Sequence, residues 1–356
     1  MQIRENIKLA SYTTLKVGGN ASYFAEPTST DEVIDALRWA REHSLPVFVL
    51  GGGSNLLVSD AGFNGLVLHM AIAGIDTRAD GDKRIYSVGA GEEWDTFVAR
   101  TVEDNCAGVE CLSGIPGTVG GTPVQNVGAY GQDVSETIAQ VSAIDTTTLE
   151  RVQFDNEACK FSYRQSRFNG CDSGRYILTQ VDFALRADGE PKIAYADLKR
   201  HFSNSIAIAA VPSLAETREA VLTIRRAKGM VLDENDADSR SAGSFFKNPV
   251  VSVAEYEQIA AGSSVPVPHF DAGQDLVKLA AAWLIEQTGI TKGFVLGPVG
   301  ISSKHTLALI NRGGATAADV LELKKTVQRK VRERFGVELH SEPVMLGFNS
   351  PEKECP

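Results

Sequence analysis

Apolar residues recur at helical spacing in Val33, Ile34, Leu37 and Ala40, behind a Ser29 that has Glu32 three positions later; this predicts a helix with a capping box, ending near His43. Pro46 follows, and then the uniformly apolar residues 47–50, the pattern of a buried strand, run directly into Gly51, Gly52 and Gly53. Residues 67–70 and 85–88 predict further strands. Trp94, Phe97, Val98 and Val102 predict a helix over about 92–105. Strands and helices therefore alternate in the first third of the chain. Farther on, residues 141–144, 152–154 and 177–185 have the pattern of an antiparallel sheet, and 214–226 that of a helix. The polar segment 233–240 reads as a linker or mobile loop. Beyond it the pattern predicts a helix over about 274–287, with Leu276, Val277, Leu279, Ala280, Trp283 and Leu284 apolar, and another over about 317–335 that Thr316 caps. Gly289 and Gly336 stand where helix C-caps belong, and a closing strand is expected over 337–346. The mixture points to an α+β fold.

Between residues 108 and 131 the chain carries seven glycines and a single charged residue, Glu110. Such a stretch is neither helix nor ordinary solvated loop. In Gly51-Gly52-Gly53-Ser54-Asn55, successive residues without a Cβ let backbone N–H groups approach phosphate oxygens. No G-K-[ST] follows and the spacing is not G-x-G-x-x-G, so the two commonest phosphate fingerprints are absent. Together with Ser113-Gly114-Ile115-Pro116-Gly117-Thr118-Val119-Gly120-Gly121, this loop suggests the walls of a site for a long, flat, dinucleotide-sized cofactor.

Composition narrows the partners. The balance of 35 Lys+Arg against 45 Asp+Glu gives a net charge of −10, which repels phosphate backbones and anionic lipid, so neither nucleic acid nor membrane is expected. At 43% hydrophobic and 22% charged the chain is too apolar for disorder. The N-terminal MQIRENIKLASYTTLK lacks the apolar core of a signal peptide, and a cytoplasmic location is expected. Cys106, Cys111, Cys159, Cys171 and Cys355 form an odd set without C-x-x-C and read as reduced thiols. His69, His201, His269 and His340 lack ligand spacing, so no metal is expected.

The segments GGGSNLL, SGIPGTVGGTPVQNVGAYGQ, FSYRQSRF, SAGSFFKNP and SEPVMLG, in that order from Gly51 to Gly347, resemble the UDP-N-acetylenolpyruvoylglucosamine reductase family, flavoenzymes that complete UDP-N-acetylmuramate in bacterial wall synthesis. The resemblance implies an α+β fold with a two-subdomain FAD-binding portion of the vanillyl-alcohol-oxidase type and a separate α+β substrate-binding domain. Residues 1–70 would form the first subdomain, closed by 337–356; 71–226 the second; and 227–336 the substrate-binding domain. Noncovalent FAD, NADPH as co-substrate and UDP-N-acetylglucosamine enolpyruvate as substrate are implied, and a monomer is expected. The Tyr-Arg-x-Ser-x-Phe form at Tyr163 to Phe168 is similar to the subclass in which an extra loop carries a substrate-covering tyrosine.

Reducing an enol ether that bears a carboxylate requires a hydride donor, a positive group for the developing enolate, and an acid to protonate the neighbouring carbon. Flavin would supply the hydride. Arg164 offers a planar fork and a permanent charge matched to the carboxylate. Ser244, between Ser241-Ala242-Gly243 and Phe245-Phe246, corresponds to the family's proton donor. A serine is a poor acid, so it needs a supporting cation or water, and no His-Asp relay is visible beside it in the sequence. Glu342 resembles the third catalytic residue. The likeness also implies flavin contacts at Gly51, Gly52, Gly53, Ser54 and Asn55, and at Ser113, Gly114, Ile115, Pro116, Gly117, Thr118, Gly120 and Gly121. Substrate contacts are implied at Tyr163, Tyr195 of the covering loop, Lys228, Asn248 and His305. Two departures stand out: Ser244 lies sixteen positions after Lys228, more than in the enteric form, and His305 stands where that form has a glutamine. Histidine can still donate to a diphosphate, with more pH dependence. The alternatives are an oxidase or dehydrogenase of another substrate on the same scaffold, and a flavin- or sugar-nucleotide-binding protein without turnover.

Overall fold

The computed structural model describes residues 1–170, 172–203 and 211–348. The chain opens with β1 (Arg4–Lys8) and β2 (Asn20–Ala25), crosses through α1 (Thr30–Glu42), and returns as β3 (Val47–Leu50), β4 (Leu56–Val58) and β5 (Phe63–His69). All but β4 form a sheet of order β1-β2-β5-β3 in which β2, β5 and β3 run parallel. Ser29 starts α1 as predicted, its hydroxyl accepting from the Glu32 N–H at 3.2 Å. The Glu32 carboxylate reaches one residue past the cap, to the N–H and hydroxyl of Thr28 at 2.7 and 2.9 Å. Val33, Ala36, Leu37 and Ala40 then face Leu66 and Leu68 across a buried layer. Burying each of the larger side chains contributes roughly 1.5–3 kcal/mol.

The second sheet is antiparallel. After β6 (Ile75–Asp80), β7 (Lys83–Gly89), α2 (Trp94–Glu103) and short strands β8 (Cys106–Ala107), β9 (Gly128–Ala129) and β10 (Gln132–Asp133), the chain forms β11 (Ile138–Asp145), β12 (Arg151–Asp155) and β13 (Tyr176–Ala187), paired in the order β12-β11-β13-β7-β6. Trp94 and Phe97 of α2 pack on Phe183 of β13. The glycine-rich stretch before β9 is folded into short turns over this core rather than left in solvent, with Leu112, Ser113 and Val119 fully buried. Next come α3 (Ala196–Ser203) and α4 (Leu214–Ala227).

The third part contains β14 (Val250–Ser252), α5 (Val253–Ala261), β15 (His269–Asp271), β16 (Leu276–Leu279), α6 (Ala281–Gln287), β17 (Val295–Leu296), β18 (Val299–Ile301), β19 (Leu309–Asn311), α7 (Ala317–Phe335) and β20 (Val344–Leu346). Thr316 and Asp319 form a capping box on α7, and Gly336 ends the helix at φ +70°. The Asp60 carboxylate accepts from the N–H groups of Ala317 and Ala318 at 2.7 and 3.0 Å, fastening this helix start to the first part of the chain. β20 pairs in parallel with β4.

Three expectations change. The helix over 274–287 is a strand followed by a helix: β16 is the central strand of β14-β16-β15, with Val277 and Leu279 buried and Leu276 exposed. Its apolar run is thus read with period two up to Leu279 and with helical period only after Ala280. The closing strand is shorter than predicted. Over residues 340–342 the chain is extended and bonds Phe245 and Lys247, through Glu342 N to Phe245 O at 2.9 Å and Lys247 N to His340 O at 3.0 Å, and only Val344–Leu346 continues in a sheet. The acidic segment 233–240 is an ordered turn: the Ser239 hydroxyl donates to Asp233 O, Asp238 accepts from Ser303, and Asp236 pairs with Lys304. Cys106, Cys111 and Cys159 are buried free thiols, whereas Cys171 and Cys355 lie outside the described residues. No helix among the described residues is long and apolar enough to cross a membrane.

Candidate active site

A cleft of about 600 Å³ runs between the two glycine-rich loops and the third part of the chain. Its floor begins where β3 ends. A Cβ on Gly52 would stand 2.6 Å from Gly117 Cα, and one on Gly53, at φ +61°, would stand 1.9 Å from Tyr12 O. The loops therefore meet backbone to backbone, which only glycine permits. The Ser54 hydroxyl locks them by donating to Pro116 O at 2.7 Å. Asn55 donates to Gln125 Oε1 and, at 3.4 Å, to the Glu342 carbonyl, so the cofactor loop and the C-terminal segment share one side chain. Among the described residues, the N–H groups of Gly52, Gly53 and Ser54 have no acceptor in the protein, and all three residues line the cleft. Free backbone donors on a wall without room for a Cβ fit a diphosphate-bearing dinucleotide.

Ile115, Pro116, Gly117, Thr118 and Gly121 also line the cleft. Ser113, Gly114 and Gly120, expected beside the cofactor, do not. Ser113 is fully buried and donates to Glu110 O. The Gly114 N–H donates to Asp95, which a bidentate pair with Arg218 holds in turn, at 2.7 and 2.8 Å. A Cβ on Gly120 would strike that of Ala90 at 2.6 Å. These residues back the wall from behind.

Arg164, Ser244 and Glu342 also line this cleft. Arg164 adopts φ +54°, a region costly for a side chain of its size, and its guanidinium is held from below: Nη1 donates to Asn126 O at 3.3 Å and Nη2 to Gly128 O at 2.6 Å. Its Nε lies 3.3 Å from Glu342 Oε1, an ion pair outside hydrogen-bonding alignment. Burial pushes the Glu342 carboxyl up from its ordinary range, while Arg164 and Lys247 pull the other way. Ser244 Oγ lies 3.3 Å from His305 Nε2. A histidine thus stands beside the serine, though with no carboxylate on its ring among the described residues it is not a His-Asp relay; the contact closes over 61 positions, which local spacing cannot reveal.

The remaining predicted residues also line the cleft. Asn248 accepts from the Ala281 N–H at 3.0 Å, at the start of α6, with its amide nitrogen left over for a ligand. Lys228, at the end of α4, is 2.7 Å from Asp197 of α3. Burial disfavours its charge, but the Asp197 hydrogen bond and the neighbouring tyrosines outweigh that and carry its pKa up. Tyr195 is exposed at the mouth and meets Tyr130 edge to face at 5.5 Å. Tyr163, also exposed, has Lys278 over its ring at 4.5 Å. Sequence reasoning missed Gln125, Tyr130, Arg225 and Lys247, all on the lining. Gln125 and Tyr130 carry a signal as members of the quoted glycine-rich segment and Lys247 as the neighbour of Asn248 in a quoted motif, whereas Arg225 carries none. Arg225 is buried, donates to Met230 O at 2.7 Å, and leaves Nε without a partner among the described residues. Among the described residues, the charged side chains that line the cleft are therefore Arg164, Arg225, Lys228 and Lys247 and one carboxylate, Glu342, although the chain as a whole carries −10.

Comparison with known proteins agrees with this geometry. The family model described as UDP-N-acetylenolpyruvoylglucosamine reductase, C-terminal domain, matches residues 235–346, and one described as FAD binding domain matches 21–148. A UDP-N-acetylenolpyruvoylglucosamine reductase of Thermobifida fusca is 47% identical over 350 residues, 96% of this chain and 97% of that one. One of Mycolicibacterium gilvum is 41% identical over 348 residues, 97% of this chain and 96% of that one. The crystal structure of the reductase from Thermus caldophilus superposes with a TM-score of 0.65 at 25% identity, covering 97% of this chain and all of that one.

Proposed function

The chain belongs to the UDP-N-acetylenolpyruvoylglucosamine reductase family, and from that premise we propose that one cleft serves cofactor, reductant and substrate, with Arg164, Ser244 and Glu342 as its catalytic residues. The enzyme uses FAD and NADPH to reduce UDP-N-acetylglucosamine enolpyruvate to UDP-N-acetylmuramate, a step of peptidoglycan precursor synthesis. When bound, FAD carries a hydride from NADPH to C3 of the enolpyruvyl group. The N–H groups of Gly52, Gly53 and Ser54, with Ile115 to Thr118 facing them, would hold the cofactor's diphosphate.

The observation that carries this reading is the convergence of Arg164, Ser244 and Glu342 from widely separated segments onto one cleft. Arg164 receives the substrate carboxylate. Because Asn126 O and Gly128 O already fix the guanidinium, its charge is in place before negative charge grows on the enolate. Glu342 lies against Nε and balances the cation, so the ground-state carboxylate is not held too tightly. Ser244 gives its hydroxyl proton to C2. Tyr163, Tyr195, Lys228, Asn248 and His305 take the sugar nucleotide, with the cations on its diphosphate. In this division residues 1–70 with 337–356, and 71–226, form the flavin portion and 227–336 the substrate-binding domain; the pairing of β20 with β4 supports the return of the C-terminal segment, of which 349–356 lie outside the described residues.

NADPH and the sugar nucleotide compete for the same space, so steady-state rates should give parallel double-reciprocal lines with inhibition at high substrate; intersecting lines would oppose a shared cleft. Both substrates are water-soluble nucleotides, and we propose that the enzyme acts in the cytoplasm as a monomer. Light scattering that returned the mass of a dimer would oppose the monomer.

A further inference from the structure

Ser244 and His305 are held toward each other from both segments. Phe245, next to the serine, donates its N–H to Leu307 O at 2.8 Å and accepts at its carbonyl from Glu342 N at 2.9 Å. On the histidine side, the Ser302 hydroxyl accepts from the N–H groups of Lys304 and His305 at 3.0 and 3.2 Å. Asp238, buried, accepts from the N–H and hydroxyl of Ser303 at 3.0 and 2.5 Å. Asp236 takes Lys304 at 2.6 Å. Among the described residues, Ser244 Oγ is the hydrogen-bond partner of the His305 ring, at 3.3 Å. Such a distance is at the long end for a hydrogen bond, and catalytic contacts commonly tighten once substrate is bound.

We propose that His305 is the proton relay that reloads Ser244, and that the ring takes up its proton when the anionic substrate fills the cleft. The inference rests on the function proposed above. In the loaded state Nε2 carries a proton and faces Oγ. Ser244 gives its hydroxyl proton to C2 of the enolate, and the electron pair of the broken O–H bond stays on Oγ. In the same step Oγ takes the Nε2 proton, whose bonding pair stays on the ring, so that protonation of C2 and reloading of the serine are coupled. The net change is a new C–H bond on the product, an unchanged serine, and an imidazolium converted to neutral imidazole that recovers its proton from water. This removes the weakness noted for a lone serine, since no free alkoxide persists.

The charges around the ring explain why loading follows the substrate. Lys228 and Arg225 act on it from α4, and Lys292 from the turn before β17. Asp236 and Asp238 are engaged by Lys304 and Ser303, and Glu342 pairs with Arg164. Burial first, then these cations, pull the pKa of the ring down to about 4 in the ligand-free protein. A substrate carrying a diphosphate and a carboxylate reverses the sign of that field.

The test uses oxidised holoenzyme and UDP-N-acetylglucosamine enolpyruvate, titrated calorimetrically in buffers of different ionisation enthalpy. Binding should take up about one proton in the parent and in Ser244→Ala, and about none in His305→Gln. Holoenzyme reduced anaerobically with dithionite is then mixed with the same substrate across pH. In His305→Gln flavin reoxidation should fall about a hundredfold and lose the pH dependence of the parent. Absence of proton uptake by the parent overturns the proposal, as does a His305→Gln enzyme with the parent's rate and pH profile. A parent that is not reoxidised by this substrate at all would overturn the functional reading together with the relay.

Discussion

Glu342 carries opposing demands on one side chain. Its pKa is raised in the folded protein, so the stability it contributes is fully present below its unfolded pKa and is lost as pH rises through the folded value. Above the unfolded value this burial therefore counts against the fold, which a neutral side chain of the same shape would avoid. Glu342→Gln should raise the melting temperature of the ligand-free protein while lowering the rate of substrate reduction by about a hundredfold or more, a pair of effects read by thermal unfolding and by turnover. Arg164→Lys should cost at least about as much in rate, because an ammonium cannot reach both Asn126 O and Gly128 O while presenting a fork to a carboxylate. Arg164, Ser244 and Glu342 were legible because each sits in a short ordered motif. His305 was legible as a residue of the cleft but not as the neighbour of Ser244; Tyr130 lies in the quoted glycine-rich segment, whereas Arg225 belongs to no motif, its place being set by how α4 packs over the glycine-rich turns.

Among the elements, α1 and α7 could be read to within a residue because cap, periodicity and stop agree; β7, β11, β12 and β13 of the second sheet could be placed from their apolar runs but not to their full length, and the mostly polar β6 was not read. The segment over 274–287 misled because Leu276 to Leu284 satisfies both periods, and pairing with β14 and β15 decides for a strand up to Leu279. The acidic turn over 233–240 could not be read as ordered, since its order comes from Ser303 and Lys304, far along the chain. The glycine loops make the sharpest prediction at this scale. Gly52→Ala puts a methyl group 2.6 Å from Gly117 Cα, so the loops must part and the purified variant should lose most of its bound flavin, measured from visible absorbance after desalting. Retention of stoichiometric flavin would show that the two loops do not need their close contact.

At the scale of the whole molecule, the net charge of −10 belongs to the surface, and the four cations of the cleft are a local exception that suits anionic ligands. The buried His305 links that site to global stability. Its pKa falls from 6.5 unfolded to about 4 folded, so its contribution is present above the unfolded value and is lost as pH falls from there toward the folded value. Ligand-free protein should lose up to about 3 kcal/mol over this window through this group, and His305→Gln should flatten that part of the stability–pH curve. The central claim, that this cleft reduces an enolpyruvyl sugar nucleotide with Ser244 as the acid, is tested most directly by anaerobic stopped-flow mixing of reduced holoenzyme with UDP-N-acetylglucosamine enolpyruvate, for the parent and for Ser244→Ala. The parent should reoxidise rapidly and form UDP-N-acetylmuramate, with the variant slower by at least about a thousandfold; equal rates in the two proteins would contradict the account.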